Sequence, residues 1–406
     1  MTTKPKIAVI GGGIAGITAA YWAARAGMAV TVYDANRYPA METSRANGGQ
    51  LSACNAATWT EWSMVRKGLG WLFDPQAPLK ISLRPELSKI AWLAKFLYHT
   101  SQHTNSERTA ETIRMAMHSR QAIDDIVSVE NIRFDHEKRG ILHVYKQMQS
   151  WQQAQQMKQL FESNGCEWQT VESQGLADIE PALRQQDWCG GIFTPGDSSG
   201  DIHKFCVALS RRLESRYDVQ FCFDTTVDSV QAEWEGVYLQ DQMFDGVVIA
   251  AGTHSNRLAR RLGDSPMIYP VKGYSITVDL DTASVARAPW VSLLDDDAKI
   301  VCSRLGSRRL RVAGTAELNG HNRDIVQDRI DPLLDWTAKN FPGINMRTVT
   351  PWAGLRPMTP DMMPVCRASS SSHRVWYHTG HGHLGWTLSA GTARTLVDQM
   401  SKAIMV

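Results

Sequence analysis

An α/β protein built on a Rossmann-like dinucleotide-binding unit is predicted by three observations. An apolar run from Lys6 to Ile10 leads directly into a glycine cluster, GGGIAG at 11–16. A helical stretch follows the glycines. A second apolar run, MAVTVYD, then stops at an acid, Asp34. The order strand, glycine turn, helix, strand, acid is that of a nucleotide cradle.

Each element has a local reason. Lys6–Ile10 is short and continuously apolar, as a strand buried on both faces must be. Gly11, Gly13 and Gly16 fit G-x-G-x-x-G, where bare backbone lets a pyrophosphate approach amides at a helix N-terminus. Ile14 opens that helix, and ITAAYWAARAG carries it to a stop at Gly27. Asp34 would accept hydrogen bonds from ribose hydroxyls and repel a 2′-phosphate, which disfavours NADP. NAD and FAD share this cradle, so the unit alone does not choose between them.

Three later segments bear on that choice. ETSRANGGQLS at 42–52 is small and polar, with Gly48 and Gly49 adjacent. DGVVIAAGTHS at 245–255 reads as a buried strand ending in a small-residue turn. HTGHGHLGWTLSAGTARTLVDQM at 378–400 reads as a glycine-rich loop opening into a helix. Small-residue contacts spread from end to end suit a long, buried cofactor better than NAD.

Elsewhere, GILHVYK (140–146), YSITVDL (274–280) and RLRVAG (309–314) read as strands of a second sheet. SWQQAQQMKQLFESNG (150–165) reads as one polar-faced helix ending at Gly165. Ser369–Ser372 is a low-complexity patch expected in an exposed loop. Residues 59–99, rich in Trp, Leu, Lys and Arg, read as a pair of amphipathic helices. They either cover the second domain or dock on a membrane surface or partner.

The chain resembles the FAD-dependent amine and D-amino-acid oxidoreductases, most closely the bacterial D-amino-acid dehydrogenases. The resemblance rests on GGGIAG (11–16), ETSRANGGQLS (42–52), GDSSGD (196–201), YPVKGYS (269–275), WAGLRPMTPD (352–361) and GHGHLGWT (380–387). It implies a D-amino-acid-oxidase-like fold: an FAD-binding Rossmann-like domain at about 1–55, 191–264 and 348–406, and a discontinuous α+β substrate domain at about 56–190 and 265–347. It implies FAD contacts from Ala35, from Thr43, Ser44, Asn47, Gly48, Gly49, Gln50 and Leu51, from Val227, Ala251 and Gly252, and from Gly382, His383, Leu384, Gly385, Trp386 and Thr387. The implied reaction is oxidation of a D-amino acid, with electrons passed to a quinone or other electron-transfer acceptor. Glycine, D-proline-like and other secondary amines are alternative substrates. A flavin subunit that needs a partner chain, with 59–99 as its interface, is a further alternative.

A substrate α-carboxylate in a buried site needs a fixed cation, and the planar fork of arginine suits it. The resemblance places Arg356, in GLRP, at that position. It places Tyr274 over the flavin, with its hydroxyl toward the carboxylate. Lys272 reads instead as an exposed strand-end lysine. His378, His381 and His383 are spaced like metal ligands but have no Cys, Asp or Glu beside them in the loop. Flavin and substrate contact is the expected role, with no metal. His383 stands where the dehydrogenases resembled carry a small hydroxyl residue, and glycine oxidases a basic one.

Bulk numbers exclude some classes. With 43 basic and 41 acidic side chains, net +2, nothing favours nucleic acid as a partner. Seven dispersed cysteines without a C-x-x-C pair argue for reduced thiols rather than a disulfide framework. There is no secretory pattern at the N-terminus and no apolar run of about 20 residues. A cytoplasmic location is expected, with peripheral contact at the inner face of the cell membrane through 59–99 as an option.

Overall fold

A computed structural model describes residues 4–71, 77–184 and 187–404. Two sheets organise the chain. In the smaller, Lys6–Ile10 pairs parallel with Ala29–Tyr33 on one side and Gly246–Ile249 on the other. Gln220–Cys222 and Val375–Thr379 extend it, also parallel. The edge strand Val365–Ala368 alone runs antiparallel. Ile7, Ala8 and Val9 are fully buried because both faces are covered. On one face lie the helix Ile14–Arg25, the C-terminal helix Gly385–Ile404 and the helix Ile202–Tyr217. On the other lie Val237, Leu239, Phe244 and the helix Ser255–Arg261.

The larger sheet has nine strands. Its sequence-predicted members Ile141–Tyr145, Tyr269–Asp279 and Arg309–Leu318 all belong to it. One face buries Ile276, Val278, Leu310 and Val312 beneath the helix Gln327–Asn340. The opposite face turns to the nucleotide domain, where Ser275 Oγ donates to Ala46 O at 2.7 Å.

Three expectations shift. The boundary at 348 assigns Val349–Met358 to the FAD domain, yet that strand pairs along its length with Tyr269–Asp279 in the larger sheet. Gly190–Thr194, at the 191 boundary, lies in the same sheet. Apolar patterning shows that a strand exists but not which partner it takes. The helix foreseen at 150–165 breaks into Met148–Gln156 and Lys158–Ser163.

In 59–99 the two helices are Trp62–Trp71 and Leu87–Ser101, with Leu79–Ile81 pairing on the larger sheet between them. Residues 72–76 of that segment lie outside the described residues. Among the described residues no helix is long and apolar enough to cross a membrane.

Candidate active site between the two sheets

The glycine turn forms as its sequence requires. Gly11 has φ +113°, a conformation that side chains resist. A Cβ on Gly16 would sit 1.7 Å from the Gly11 carbonyl oxygen, so only glycine lets the helix close on the turn. Gly16 therefore shapes the cradle from beneath rather than lining it. Ser44 Oγ accepts from Ile14 N at 3.1 Å, tying the 42–52 segment to the first helical turn. Asp34 accepts from Gly12 N through Oδ2, at 2.5 Å, and from Asn36 N through Oδ1, at 2.7 Å. The acid is thus fixed at the cleft end of its strand.

A cleft of about 560 Å³ runs from that turn toward the C-terminal helix. Gly11, Gly13, Ile14, Asp34 and Ala35 line one end. Val227, Ala251 and Gly252 line its side, and Gly382, His383, Gly385 and Trp386 its far end. Of the twelve buried side-chain polar atoms without a partner among the described residues, three are His383 Nε2, Trp386 Nε1 and Ser389 Oγ. All three residues line this cleft. Buried donors and acceptors are rarely left unsatisfied, so the cleft is shaped for a polar ligand. A fixed acid, glycine-bared amides and these orphaned atoms fit FAD.

The segment 43–52 bridges cleft and second sheet. Thr43 Oγ1 donates to Leu355 O at 2.7 Å, and Arg311 Nη1 donates to Asn47 O at 2.9 Å. Gln50 Nε2 donates to Ser292 Oγ at 2.9 Å. Ser52 Oγ donates to the buried Asp197, whose carboxylate also accepts from Ala53 N. Gly48, Gly49, Gln50, Leu384 and Thr387 line a second cavity of about 290 Å³. Leu51 lines neither space. Its strand pairs with Ser198–Ser199, and the side chain faces a third cavity.

Thr43, Asn47, Arg356 and His383 line both cleft and second cavity. Arg356 lies over Gly273, where an added Cβ would stand 2.4 Å from its Cζ. No acid among the described residues pairs with it. Burial pushes the guanidinium down to about 10, so it is still cationic at neutral pH. The His383 ring stacks on Trp59, with centroids 4.4 Å apart. Burial, reinforced by the Arg356 charge, pushes His383 down to about 3 and keeps it neutral.

Tyr274 departs from expectation. Strand alternation turns it to the face opposite Arg356, into the core with Ile276 and Val278. It borders the second cavity, but its hydroxyl donates to Glu317 Oε2 at 2.7 Å. That proton is committed to Glu317. Lys272 is not exposed. It is fully buried, 3.0 Å from the Glu317 carboxylate, and donates to Asn322 Oδ1 at 2.7 Å.

His378 and His381 are core groups. His378 Nδ1 lies 2.9 Å from Ala15 O, and both Nε2 atoms meet Thr392 Oγ1, at 2.9 and 3.0 Å. Their ring nitrogens join the first helix to the last. Cys366 stands 3.7 Å from His381 Nε2, a proximity that spacing within the loop did not reveal.

Sequence reading also missed the loop 319–326, which crosses beside the cleft. Arg323 pairs with Glu42, and the His321 ring stacks on His254 at 5.4 Å. A lone Arg and a lone His in a polar loop carry no signal. Their significance comes from the fold.

Comparison with known proteins agrees with this geometry. The profile of the FAD dependent oxidoreductase family (DAO) matches residues 6–399. A D-amino acid dehydrogenase 3 of Mesorhizobium japonicum is 48% identical over 401 residues, spanning 97% of this chain and 96% of that protein. A D-amino acid dehydrogenase of Paramagnetospirillum magneticum is 39% identical, over 98% of this chain and 95% of that one. The fold is that of glycine oxidase from Bacillus cereus: TM-score 0.74 and 17% identity, covering 98% of this chain and 95% of that one. L-proline dehydrogenase from P. horikoshii aligns with TM-score 0.73 and 14% identity, covering 99% of this chain and 94% of that one. With its glycine turn, its fixed Asp34 and its near-complete match to the family profile, the chain belongs to the DAO family of FAD-dependent oxidoreductases.

Proposed function

We propose that this enzyme is a D-amino-acid dehydrogenase that converts its substrate to a 2-oxo acid and ammonia and passes the electrons to a quinone-class acceptor. The observation that carries the reading is Arg356, a cation without an acid partner among the described residues, placed where cleft and second cavity meet. The names of the relatives at 48% and 39% identity support the substrate class.

Bound FAD supplies the two-electron acceptor that takes a hydride from the substrate α-carbon. The chain binds, orients and excludes water. Arg356 grips the carboxylate through two parallel hydrogen bonds, a geometry lysine does not reproduce. His383 is neutral, so its unpartnered Nε2 serves as a hydrogen-bonding group rather than a second charge. Trp59 stacks behind it, and Trp352 forms another part of the wall. The amine must lose its proton before a hydride can leave the α-carbon, so turnover should rise with pH.

The membrane reading of 59–99 is supported by what the segment exposes. Lys89 is buried and donates to Arg84 O at 2.7 Å, holding a turn that presents Leu83 and Leu87, 93% and 86% exposed. Trp59, Trp62, Ile90, Leu97 and Tyr98 are also exposed. Such a surface, adjoining the second cavity through Trp59 and Leu79, suits docking to the membrane that holds a quinone pool.

The test is anaerobic bleaching of the flavin by D- and L-amino acids and N-alkyl glycines. D-amino acids should bleach it and L-enantiomers should not. Faster bleaching by the L-series would overturn the assignment. Faster bleaching by N-alkyl glycines would move the substrate to secondary amines.

A further inference from the structure

Four strands of the larger sheet lay one residue each across the floor of the second cavity. Leu79 pairs with Ala316, Ala316 with Gly273, and Gly273 with Gly354. All four line the cavity. Paired glycines inside a sheet give the strands no side chains to pack, and they mark places where another group approaches closely. Here a side chain lies over each. Arg356 covers Gly273. Trp352 covers Gly354, where an added Cβ would stand 1.9 Å from the indole Cη2 and 2.6 Å from Cζ2. Trp352, Gly354 and Arg356 alternate along Val349–Met358 and so share one face. The indole and the guanidinium therefore flank one space above a floor of paired glycines, and both line the second cavity.

The charges of this cavity leave only Arg356 for a ligand. The described residues lining it include two other charged groups, Asp296 and Lys299, and these neutralise each other: Lys299 Nζ donates to Asp296 Oδ1 at 2.9 Å. Asp296 Oδ2 accepts from the Tyr145 hydroxyl at 2.7 Å and lies 3.3 Å from His143 Nδ1. A cationic substrate side chain would have to displace Lys299 to reach Asp296. An anionic one would meet Asp296 beside Lys299. Trp59, Met64, Pro78 and Leu79 add an apolar wall. We propose that Trp352 selects the substrate side chain, and that the enzyme prefers D-amino acids carrying a neutral aromatic ring, which lies against the indole while Arg356 holds the carboxylate. The inference rests on the D-amino-acid reading of this site. Aromatic pairs in offset or edge-to-face contact gain more than their buried area, whereas an aliphatic side chain of equal size gains the area alone.

The first test needs no turnover. Oxidised holoenzyme is titrated with phenylacetate, cyclohexylacetate, succinate and acetate, and binding is followed by the change in the flavin spectrum. Phenylacetate should bind about tenfold or more tighter than acetate or succinate, and severalfold tighter than cyclohexylacetate. Equal or tighter binding of any of the other three overturns the proposal. Trp352→Leu keeps apolar bulk and removes the ring, so the ratio of phenylacetate to cyclohexylacetate affinity should fall to near one. Trp352→Phe should keep most of it. Ratios within one protein are compared, so partial loss of FAD does not disturb the result, and Trp352→Met serves if the Leu variant retains no FAD. An unchanged ratio without the ring means that Trp352 does not select, and the proposal fails. The second test is anaerobic flavin reduction. The second-order rate constant for D-phenylalanine should exceed that for D-alanine about tenfold, with D-glutamate and D-arginine slower than D-phenylalanine. If D-alanine, D-glutamate or D-arginine is the fastest, this inference falls while the D-amino-acid reading stands. If none of the four bleaches the flavin, that reading itself fails, and the carboxylate series still decides what lies against Trp352.

Discussion

Arg356 and Tyr274 sit on adjacent strands and have opposite fates, which the parity of the strands decides. Arg356 shares a face with Gly273 and points where cofactor and substrate meet; Tyr274 points into the core. Removing one partner of a buried charge pair costs about 3–5 kcal/mol. Arg356→Ala should therefore lower the second-order rate constant of flavin reduction at least about a hundredfold, each factor of ten being about 1.4 kcal/mol. FAD content should stay the same, and Arg356→Lys should recover only part of the loss. The decisive comparison is an amino acid against the matching amine without a carboxylate: wild type should strongly prefer the acid, and the Ala variant should not. Tyr274→Phe should do the reverse. It removes one hydrogen bond from Glu317, which keeps Lys272 and Asn319, so stability should drop by about 1 kcal/mol. Flavin reduction should change less than threefold. A large loss of rate at unchanged stability would return the hydroxyl to the substrate site. The GLRP motif made Arg356 legible in the sequence. Which way Tyr274 points depends on sheet register, and one strand read alone does not contain that.

Among the elements, the C-terminal loop and helix do most to join cofactor cleft to core. The loop was legible as a glycine-rich opening to a helix, but its histidines divide by burial, which spacing hides. His378 is fully buried and bonded at both nitrogens, and burial pushes it from 6.5 down to about 4. The unfolded chain takes up that proton near pH 6.5 and the folded chain only near pH 4. The stability contributed by the neutral ring is therefore complete above pH 6.5 and falls as pH drops toward 4. Between pH 7.5 and 5 the loss from this one group should be on the order of 2 kcal/mol, at about 1.4 kcal/mol per pH unit below 6.5. Urea unfolding at the two pH values measures it, and His378→Gln should flatten the difference by that amount. Equal pH dependence in both proteins would mean that His378 is protonated in the folded state. The loop 319–326 makes a separate prediction. Arg323 and His321 reach Glu42 and His254, both cleft-lining residues, so Arg323→Ala should speed loss of FAD on dilution about threefold or more. Fluorescence of released flavin follows it, and an unchanged rate would show that the loop does not retain the cofactor.

At the scale of the whole molecule, the nucleotide unit was readable because its order is local: strand, glycines, helix and acid within 34 residues. The second sheet was only partly readable, because its strands come from five widely separated stretches and Val349–Met358 crosses the expected boundary. What remained open was the fate of 59–99, where cover and docking surface give the same composition. The structure shows the covering role for part of the segment and leaves other apolar side chains exposed. Lys89 and Trp92 are buried, with Trp92 Nε1 donating to Met358 O, so one side of the second helix does cover the sheet. Leu83, Leu87 and Ile90 are left in water. Burying a leucine side chain gains about 1.5–3 kcal/mol, so bilayer binding would draw on Leu83, Leu87 and Ile90 together, with nearby lysines and arginines adding attraction to anionic lipid. The protein should co-sediment with vesicles of anionic lipid, less with zwitterionic ones, and less as salt shortens the range of the charges. Leu83→Ser with Leu87→Ser should cut the partition coefficient tenfold or more while leaving anaerobic flavin bleaching unchanged. Trp234→Ser, at an equally exposed aromatic outside the segment, should leave partitioning alone. Absence of vesicle binding by the wild type at low salt would assign 59–99 to cover alone.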